Sequence, residues 1–291
     1  MNRSRQYILN ILLGIAVSFF ILPLLLVISI SLTSEHSIAE YGFRFFPSEF
    51  SIKAYEYLFT NSSRIVRAFI VSVIVTLGGS LLAIFLMSLY AYALSRKDFA
   101  FRRFFMFYIF FTMLFNGGLV PTYLVIIKLL HLQDNLLALI VPLAFNAFFT
   151  IILRTFFQGI PESIIESGRM DGAKEWRIFF SLVFPLAIPG ISTVALFVGV
   201  GYWNDWFQAL LYIRDPFLLP LQSFLSSIQK NIEVLALNPN LSGIKSEILS
   251  NIPTESSRMA IVILTTLPIL VSYPFFQKFF ISGLTVGSVK E

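Results

Sequence analysis

Long apolar runs alternate with short polar stretches along this 291-residue chain. Six of the runs contain the roughly 20 residues that a helix needs to cross the hydrocarbon core of a membrane. They cover residues 10–32, 68–94, 104–127, 135–158, 187–212 and 259–281. Because only helices and closed barrels satisfy their backbone hydrogen bonds in lipid, this pattern predicts an all-α integral membrane protein with six transmembrane helices.

The first apolar run follows Arg3 and Arg5, as the hydrophobic part of a secretory signal peptide would. It is too long for a signal peptide, and no small-residue cleavage site follows Leu32. We therefore expect a retained helix and an outer loop in residues 1–67, and the main transmembrane domain in residues 68–291. A second outer lobe, residues 213–258, is rich in Asn, Ser and Pro and suits a folded lobe and a solvated linker equally.

Composition supports a membrane location and excludes several kinds of chemistry. The chain is 57% hydrophobic and only 13% charged, about half the charged fraction of a soluble domain, and its mean hydropathy is +0.81. It has no cysteine and two histidines, which excludes disulfides, a cysteine nucleophile and a thiolate metal site, and nearly excludes a histidine-based metal site. The net charge of +5 reflects where the basic residues lie and predicts no nucleic-acid partner.

Basic residues are concentrated on one side of the predicted membrane. With the N-terminus inside, the inner segments hold 12 of the 21 basic residues and six acidic ones. Loop 95–103 alone has four basic residues in nine positions. The positive-inside rule therefore predicts that both termini and the polar stretch 159–185 are cytoplasmic.

The polar stretch 159–185, called the 159–185 loop below, contains two short helical patterns that meet at Asp171 and Gly172. Pro161 suits a helix start because its missing N–H would have no partner there. Gly172 suits a helix end because glycine adopts the left-handed conformation without steric cost. The second pattern carries apolar residues at helical spacing: Trp176, Phe179, Phe180 and Val183. These features predict a surface on which a soluble partner docks.

Polar residues inside the apolar runs are candidates for a transport path. The fifth run contains Trp203, Asn204 and Asp205, and an ionisable residue at membrane depth usually faces a cavity or a partner. Aromatic rings pack on pyranose faces, while amides and carboxylates bind sugar hydroxyls. Alternatively, the tryptophans form an interfacial belt, which we favour for Trp206, and Asp205 pairs within the helix bundle.

Two other runs contain polar or helix-breaking residues. The third run is interrupted by Asn116, Gly117, Gly118, Pro121 and Tyr123. Such a segment should break or kink a helix, either as a flexible gate beside the path or, as we favour for Gly118, as a kink needed for packing. In the fourth run, Asn146 either faces the path or bonds across helices.

No motif for chemistry is present in the sequence. It lacks a Walker loop, a His-Glu-x-x-His motif and a serine nucleophile elbow. The energy for transport must then come from another subunit or from an ion gradient.

One motif resembles a known family. The run Glu166, Ser167 and Gly168, followed by Asp171, Gly172, Ala173 and Pro185, is similar to the EAA loop of permease subunits in bacterial ABC importers. That family usually has Glu-Ala-Ala or Glu-Ala-Ser at the first three positions. In that family the loop is a coupling helix that sits in a groove of the ATPase subunit. The resemblance implies the same coupling role for these residues and for Trp176.

The resemblance extends along most of the chain. The stretches around Gly117–Tyr123 and Trp203–Asp205 and the tail 273–290 look like those of carbohydrate-uptake-1 permeases, in particular the maltose-type second permease subunit and Gram-positive complex-oligosaccharide importers. This implies the type I ABC importer transmembrane fold, alternating access and a non-catalytic subunit without a cofactor. It also implies a second, different permease, two ATPase subunits that bind ATP and Mg, and an external solute-binding protein that delivers the sugar. The tail residues Gly287, Ser288, Val289 and Lys290 would contact the ATPases.

Two other classes of function remain open at this point. A secondary transporter or channel driven by an ion gradient would need paired charges at membrane depth, and Asp205 is the one acidic residue in the apolar runs. A membrane enzyme would need a nucleophile and a base, and the sequence shows no such pair. We therefore expect an ABC permease subunit.

Overall fold

A computed structural model describes residues 3–60, 62–237 and 254–287. Regular structure in these residues is helical, and strand-type pairing among them is limited to one bridge between Thr33 and Phe50. The prediction of an all-α protein is confirmed.

The helices in chain order are α1 (Arg3–Ser31), α2 (Glu35–Tyr41), α3 (Lys53–Phe59), α4 (Ser62–Ser95), α5 (Arg102–Leu114), α6 (Leu119–Leu124), α7 (Leu137–Ile140), α8 (Ala147–Gln158), α9 (Glu162–Met170), α10 (Glu175–Ile178), α11 (Phe184–Leu186), α12 (Ile188–Asn204), α13 (Phe207–Tyr212), α14 (Leu221–Leu237) and α15 (Thr254–Gly287). Turns of π type follow α6 and α10, at Val125–Leu129 and Phe179–Val183. Two 3-10 turns cover Val141–Leu143 and Pro216–Leu218.

One compact unit consists of residues up to Val66 together with Phe224–Pro268. Within it, Glu35 binds the first turn of α15. Its carboxylate accepts hydrogen bonds from the Thr254 hydroxyl at 2.6 Å, from the Glu255 amide at 3.0 Å and from the Ser256 amide at 3.2 Å. The Glu255 and Ser256 amides are N–H groups that a helix start cannot pair internally, so Glu35 acts as a cap supplied from a distant part of the chain.

The second compact unit consists of Arg67–Ser223 and the residues from Ile269 onward. Its core contains Met87 of α4, Leu153 of α8 and Val194 of α12, all fully buried. Two glycines allow α12 to approach its neighbours closely. A Cβ at Gly79 would lie 2.5 Å from the ring of Tyr202, and a Cβ at Gly190 would lie 2.3 Å from the ring of Phe156. The two aromatic rings therefore occupy the space that a side chain at either glycine position would need.

Three helices are long and apolar enough to cross a membrane unaided, at Gln6–Ser31, Ser63–Ser95 and Thr254–Phe275. Three bent pairs also qualify if each pair is one span. They are Arg102–Leu114 with Leu119–Leu129, Leu137–Leu143 with Ala147–Gln158, and Glu175–Leu186 with Ile188–Asn204, bent by 111°, 57° and 81°. The described residues thus contain three to six spans.

The break predicted in the third run, residues 104–127, is present. Helix α5 ends at Leu114, and α6 starts at Leu119 in a very different direction. Gly118, just before α6, has a φ of +87°, a conformation that costs glycine little. The side-chain oxygen of Asn116 accepts from the Gly118 amide at 2.8 Å, which stabilises the turn locally.

In the fifth apolar run, the expectation of a continuous helix over 187–212 is wrong. Helix α12 ends at Asn204, and α13 starts at Phe207. The Asp205 carboxylate accepts from the Gln208 amide at 3.2 Å, so it caps the start of α13. Because α12 and α13 are both apolar, the two helices and the cap between them read as one apolar run, and hydrophobicity alone does not reveal the break.

The sixth helix is longer than expected. We expect its end near Phe280 from the sequence, but α15 continues to Gly287. Gly283 weakens a helix by about 1 kcal/mol relative to alanine, which is too little to end one that is otherwise made of apolar helix-compatible residues. The remaining tail residues of the prediction, Ser288, Val289 and Lys290, lie outside the described residues.

Candidate functional site

The 159–185 loop folds into two helical pieces joined by a tight turn. Gly172 has a φ of +76°. The Gly172 amide donates to the Arg169 carbonyl at 3.0 Å, and the Ala173 amide donates to the Gly168 carbonyl at 3.0 Å. These two bonds form the Schellman motif that ends a helix with a left-handed glycine. The sequence prediction of a helix end at Gly172 is confirmed, and Pro161 directly precedes α9 as predicted.

One face of this helical hairpin is buried against the membrane helices. Ile165 and Gly168 of α9 pack with Ile178 and the following π turn. A Cβ at Gly168 would lie 2.8 Å from Leu182 Cδ1. Gly168 therefore replaces the small alanine expected at this position because Leu182 fills the space beside it.

Ion pairs join the hairpin to loop 95–103. The Arg169 guanidinium lies 2.7 Å from an Asp98 oxygen and 2.6 Å from a Glu175 oxygen. The Tyr92 hydroxyl donates to the other Glu175 oxygen at 2.8 Å. We call Asp98, Arg169, Glu175 and Tyr92 the inner clamp. The hydrogen bond from Arg169 holds the pKa of Asp98 below its usual range, and the two carboxylates raise the pKa of Arg169.

A second ion pair lies beside the inner clamp. Lys97 Nζ is 3.0 Å from a Glu162 oxygen, and this contact lowers the pKa of Glu162. Sequence reasoning missed both contacts, because they connect residues about 70 positions apart. The available signal was that two loops assigned to the same side of the membrane carry opposite charges.

The opposite face of the hairpin is exposed and partly apolar. Trp176 is 61% exposed and stacks on Phe180, with ring centroids 5.9 Å apart and planes at 12°. Met170 at the end of α9 is 88% exposed. Glu166 is exposed as well, and its carboxylate makes no hydrogen bond or ion pair with any described residue. We call Glu166, Met170, Trp176 and Phe180 the docking face.

The other residues predicted for coupling lie around this face. Ser167 and Asp171 are exposed, Asp171 being the last residue before the turn. Ala173 is half-buried against the core. Pro185 lies exposed in α11, just before the 81° bend into α12. The structure thus brings all the predicted coupling residues into one hairpin and the helix that follows it.

The residues predicted for the transport path differ in exposure and lie on several helices. Asn116 and Gly117 are exposed at the α5–α6 break. Tyr123 stacks on Tyr212 of α13, with centroids 5.9 Å apart and planes at 16°. Asn204 is exposed at the end of α12, whereas Trp203 is buried edge-to-face against Phe69 at 5.8 Å.

Three of the side-chain oxygens predicted to face the path instead accept hydrogen bonds from backbone amides at helix starts. Asn146 accepts from the Phe149 amide at 3.1 Å and caps α8. Asn116 and Asp205 serve the turns before α6 and α13 as described above. Sequence reasoning missed Tyr212 as the stacking partner of Tyr123, because the two residues are far apart in the chain.

Comparison with known proteins decides the family. Residues 84–286 match the family described as "Binding-protein-dependent transport system inner membrane component". The chain belongs to this family. It is therefore a multi-pass permease subunit of a bacterial ABC importer, a class of transporter that works with ATPase and solute-binding subunits. The family does not support a transporter driven by an ion gradient.

Individual relatives cover nearly the whole chain. The polygalacturonan/rhamnogalacturonan transport system permease protein YtcP of Bacillus subtilis strain 168 is 41% identical over 272 residues, 93% of this chain and 92% of that protein. The arabinooligosaccharides transport system permease protein AraQ of the same strain is 29% identical over 84% of this chain and 80% of that protein. A chain in the crystal structure of a bacterial ABC transporter involved in the import of the acidic polysaccharide alginate has a TM-score of 0.80 and 29% identity, with 96% of this chain and 99% of that chain covered.

Proposed function

We propose that this chain forms half of the translocation path of an ATP-driven importer for a sugar or oligosaccharide, working by alternating access. The names of its relatives support this substrate class, because they specify polygalacturonan or rhamnogalacturonan, arabinooligosaccharides and the acidic polysaccharide alginate. A second, different permease would complete the path, and an external solute-binding protein would deliver the sugar. This chain would be non-catalytic and hold no cofactor, while two partner ATPase subunits bind ATP and Mg.

The proposed topology counts the two bent pairs over 102–129 and 137–158, and α12 of the third pair, as one span each. Together with the three continuous helices this gives six spans, with both termini and the 159–185 loop in the cytoplasm. The basic residues of loop 95–103 support that orientation. Residues 1–67 would then form an N-terminal helix and outer loop, residues 68–291 the importer domain, and residues 213–258 an outer lobe.

The docking face is the observation that carries the proposal. Exposed aromatic residues in a tightly hinged hairpin are typical of a surface that another protein covers. The tight turn at Gly172 would transmit movement of the ATPase through the second helical piece of the hairpin to α12. The proposed coupling residues are Glu166, Ser167, Gly168, Asp171, Gly172, Ala173, Trp176 and Pro185, and Glu166 would pair with a basic group of the ATPase.

The proposed path and tail residues complete the assignment. Asn116, Gly117, Tyr123, Asn146, Trp203, Asn204 and Asp205 would line or border the sugar path. Exposed Asn204 supports this placement, since an amide that is accessible can bind sugar hydroxyls. The tail Gly287, Ser288, Val289 and Lys290 would reach the ATPase interface.

The test is to replace Trp176 and Phe180 by alanine together and to measure copurification of the ATPase subunit and uptake of pectin-derived oligosaccharides. We expect both to fall by roughly tenfold or more, because buried aromatic residues dominate protein interfaces. The matched control is Phe46→Ala, which removes a ring that is 86% exposed in the first outer loop. Normal copurification and uptake in W176A/F180A would reject the docking face.

A further inference from the structure

A cavity of about 730 Å³ opens beside loop 95–103 at the start of α5. Its lining combines basic and aromatic side chains, and none of the lining residues is acidic. The residues that matter for its chemistry are Lys97, Arg102, Arg103, Arg154, Phe107 and Phe110. Such a composition favours a ligand that has both an anionic and an apolar part.

The arginines of the cavity are held together by neutral groups. With the Gln158 amide turned so that its oxygen faces them, it accepts from Arg102 at 2.8 Å and from Arg154 at 3.0 Å. The Arg154 Nε also donates to the Leu94 carbonyl at 3.1 Å. Within the described residues, no carboxylate forms an ion pair with Arg102, Arg103 or Arg154. Like charges are thus gathered at one place without the counter-charge that would offset their repulsion.

The position of two of these arginines adds to the excess of positive charge. Arg102 and Arg103 are the first two residues of α5, and the first turn contains no acidic residue. The N-terminal end of a helix is itself partially positive, so cations there are unfavourable unless an anion binds nearby. By contrast, Lys97, which also lines the cavity, and Arg169, which does not, each have a carboxylate partner.

The apolar part of the cavity continues along the same helix. Phe107 is 69% exposed and Phe110 is 51% exposed, one turn and two turns beyond the arginines. A small soluble anion would make no use of these rings, whereas the acyl chains of a lipid would pack on them.

We propose that this cavity binds the headgroup of an anionic phospholipid. Guanidinium groups of Arg102, Arg103 and Arg154 contact the phosphate, because arginine pairs well with carboxylate and phosphate oxygens. The acyl chains run along Phe107 and Phe110 of α5. Basic pockets between membrane helices on the cytoplasmic side are suited to such headgroups. This inference depends on the membrane location and orientation of the chain and is independent of which sugar is transported.

The experiment uses the full-length chain in mild detergent and native mass spectrometry. The chain is titrated with phosphatidylglycerol and, separately, with phosphatidylethanolamine of the same acyl composition. We expect one bound phosphatidylglycerol at an affinity at least about fivefold higher than that for phosphatidylethanolamine. The variant R102Q/R103Q should lose this preference. The control K53Q/R64Q removes two exposed charges in the N-terminal unit and should keep it.

Each other outcome contradicts the proposal in a defined way. Equal binding of the two lipids by the unmodified chain, or an unchanged preference in R102Q/R103Q, shows that the arginines do not select an anionic headgroup. Displacement of the lipid by millimolar inorganic phosphate identifies a site for a soluble anion. Loss of the lipid once the partner permease and ATPases are assembled identifies a protein interface.

A folding control keeps the test decisive. If R102Q/R103Q elutes as aggregate in size-exclusion chromatography, the single variant R103Q is used. Arg103 is exposed and makes no hydrogen bond within the described residues, so its replacement should leave the fold intact. At least a twofold decrease in preference for phosphatidylglycerol is expected from R103Q, and no decrease would overturn the proposal.

Discussion

The 159–185 loop and the two helix breaks at 115–118 and 205–206 use the same residue types in different ways. In the loop, backbone groups close the turn at Gly172, so side chains such as Arg169 and Glu175 bind other side chains instead of capping the helix. At the breaks, the side chains of Asn116 and Asp205 accept backbone N–H groups of their own helix starts. Where the backbone is already satisfied, a polar residue between apolar runs is therefore available for other contacts, such as the proposed docking. It marks a cap where the backbone is not.

The strongest test of this comparison is to alter the turn at Gly172. Gly172→Val should reduce uptake and sugar-stimulated ATPase activity by roughly tenfold or more. A left-handed conformation costs an L-residue about 1–2 kcal/mol, and β-branched residues resist it most. The measurement is uptake and ATPase activity of the reconstituted complex.

Gly172→Asn is the matched control, because asparagine tolerates the left-handed conformation better than other residues with a side chain. It should retain most of the activity. If the valine variant transports and couples normally, the turn is not the hinge of the docking face. If the asparagine and valine variants fail equally, any side chain at Gly172 disturbs the ATPase contact, and backbone strain is not the cause.

A second test separates capping from sugar binding at Asp205. Asp205→Ala should lower uptake several-fold while complex assembly and basal ATPase activity remain, because loss of an N-cap costs about 1 kcal/mol and loosens α13. Asp205→Asn keeps an oxygen that accepts the same bonds and should retain most of the uptake. The measurement is initial uptake rate at equal amounts of assembled complex.

The two variants of Asp205 can also contradict this assignment. If the asparagine variant loses as much uptake as the alanine variant, the negative charge itself acts on the substrate. If the alanine variant prevents assembly, Asp205 holds the helix bundle together. Full uptake in the alanine variant would remove Asp205 from both roles.

The sequence was sufficient for features that depend on neighbouring residues. The turn at Gly172, the break before α6 and the apolar runs follow from glycine conformation and from hydrophobic length. The break at Asp205 could have been predicted as well, because Asp205 is followed three residues later by Gln208, a pattern typical of a helix start. We interpreted Asp205 as an intramembrane charge because the surrounding run is apolar throughout.

Features that depend on distant residues could not be predicted in this way. The inner clamp pairs loop 95–103 with the 159–185 loop, and nothing local to Arg169 selects Asp98 as its partner. The close packing of Tyr202 against Gly79, which lies on another helix, likewise has no local signal in the sequence. The extension of α15 past Phe280 was missed because a single glycine such as Gly283 is a weak stop signal.

A smaller effect is expected from breaking the inner clamp. Arg169→Gln should lower the ratio of transport to ATP hydrolysis by a few-fold at most, since the side chains of Arg169 and Asp98 are 40% and 49% exposed. Exposed ion pairs contribute about 0.2–1 kcal/mol. A double-mutant cycle with Asp98→Asn measures their interaction, and Lys174→Gln, which removes an exposed charge of the 159–185 loop, is the control. Additive effects of R169Q and D98N would show that this pair does not stiffen the loop.

The smallest expected effect is the pH dependence of the same contact. Arg169 lowers the pKa of Asp98, so the folded protein favours the carboxylate over the protonated acid. The resulting stabilisation is fully present above the unfolded pKa of about 3.9 and is lost as the pH falls through the lower folded value. We therefore expect the melting temperature of the unmodified protein to exceed that of Asp98→Asn by a constant margin from pH 7 to about pH 5. Below about pH 4 this margin should shrink, because protonated Asp98 and asparagine are both neutral at the contact with Arg169. A margin that stays constant down to pH 3 would show that Asp98 acts through its shape and neutral hydrogen bonds, and that the charge of the inner clamp contributes nothing to stability.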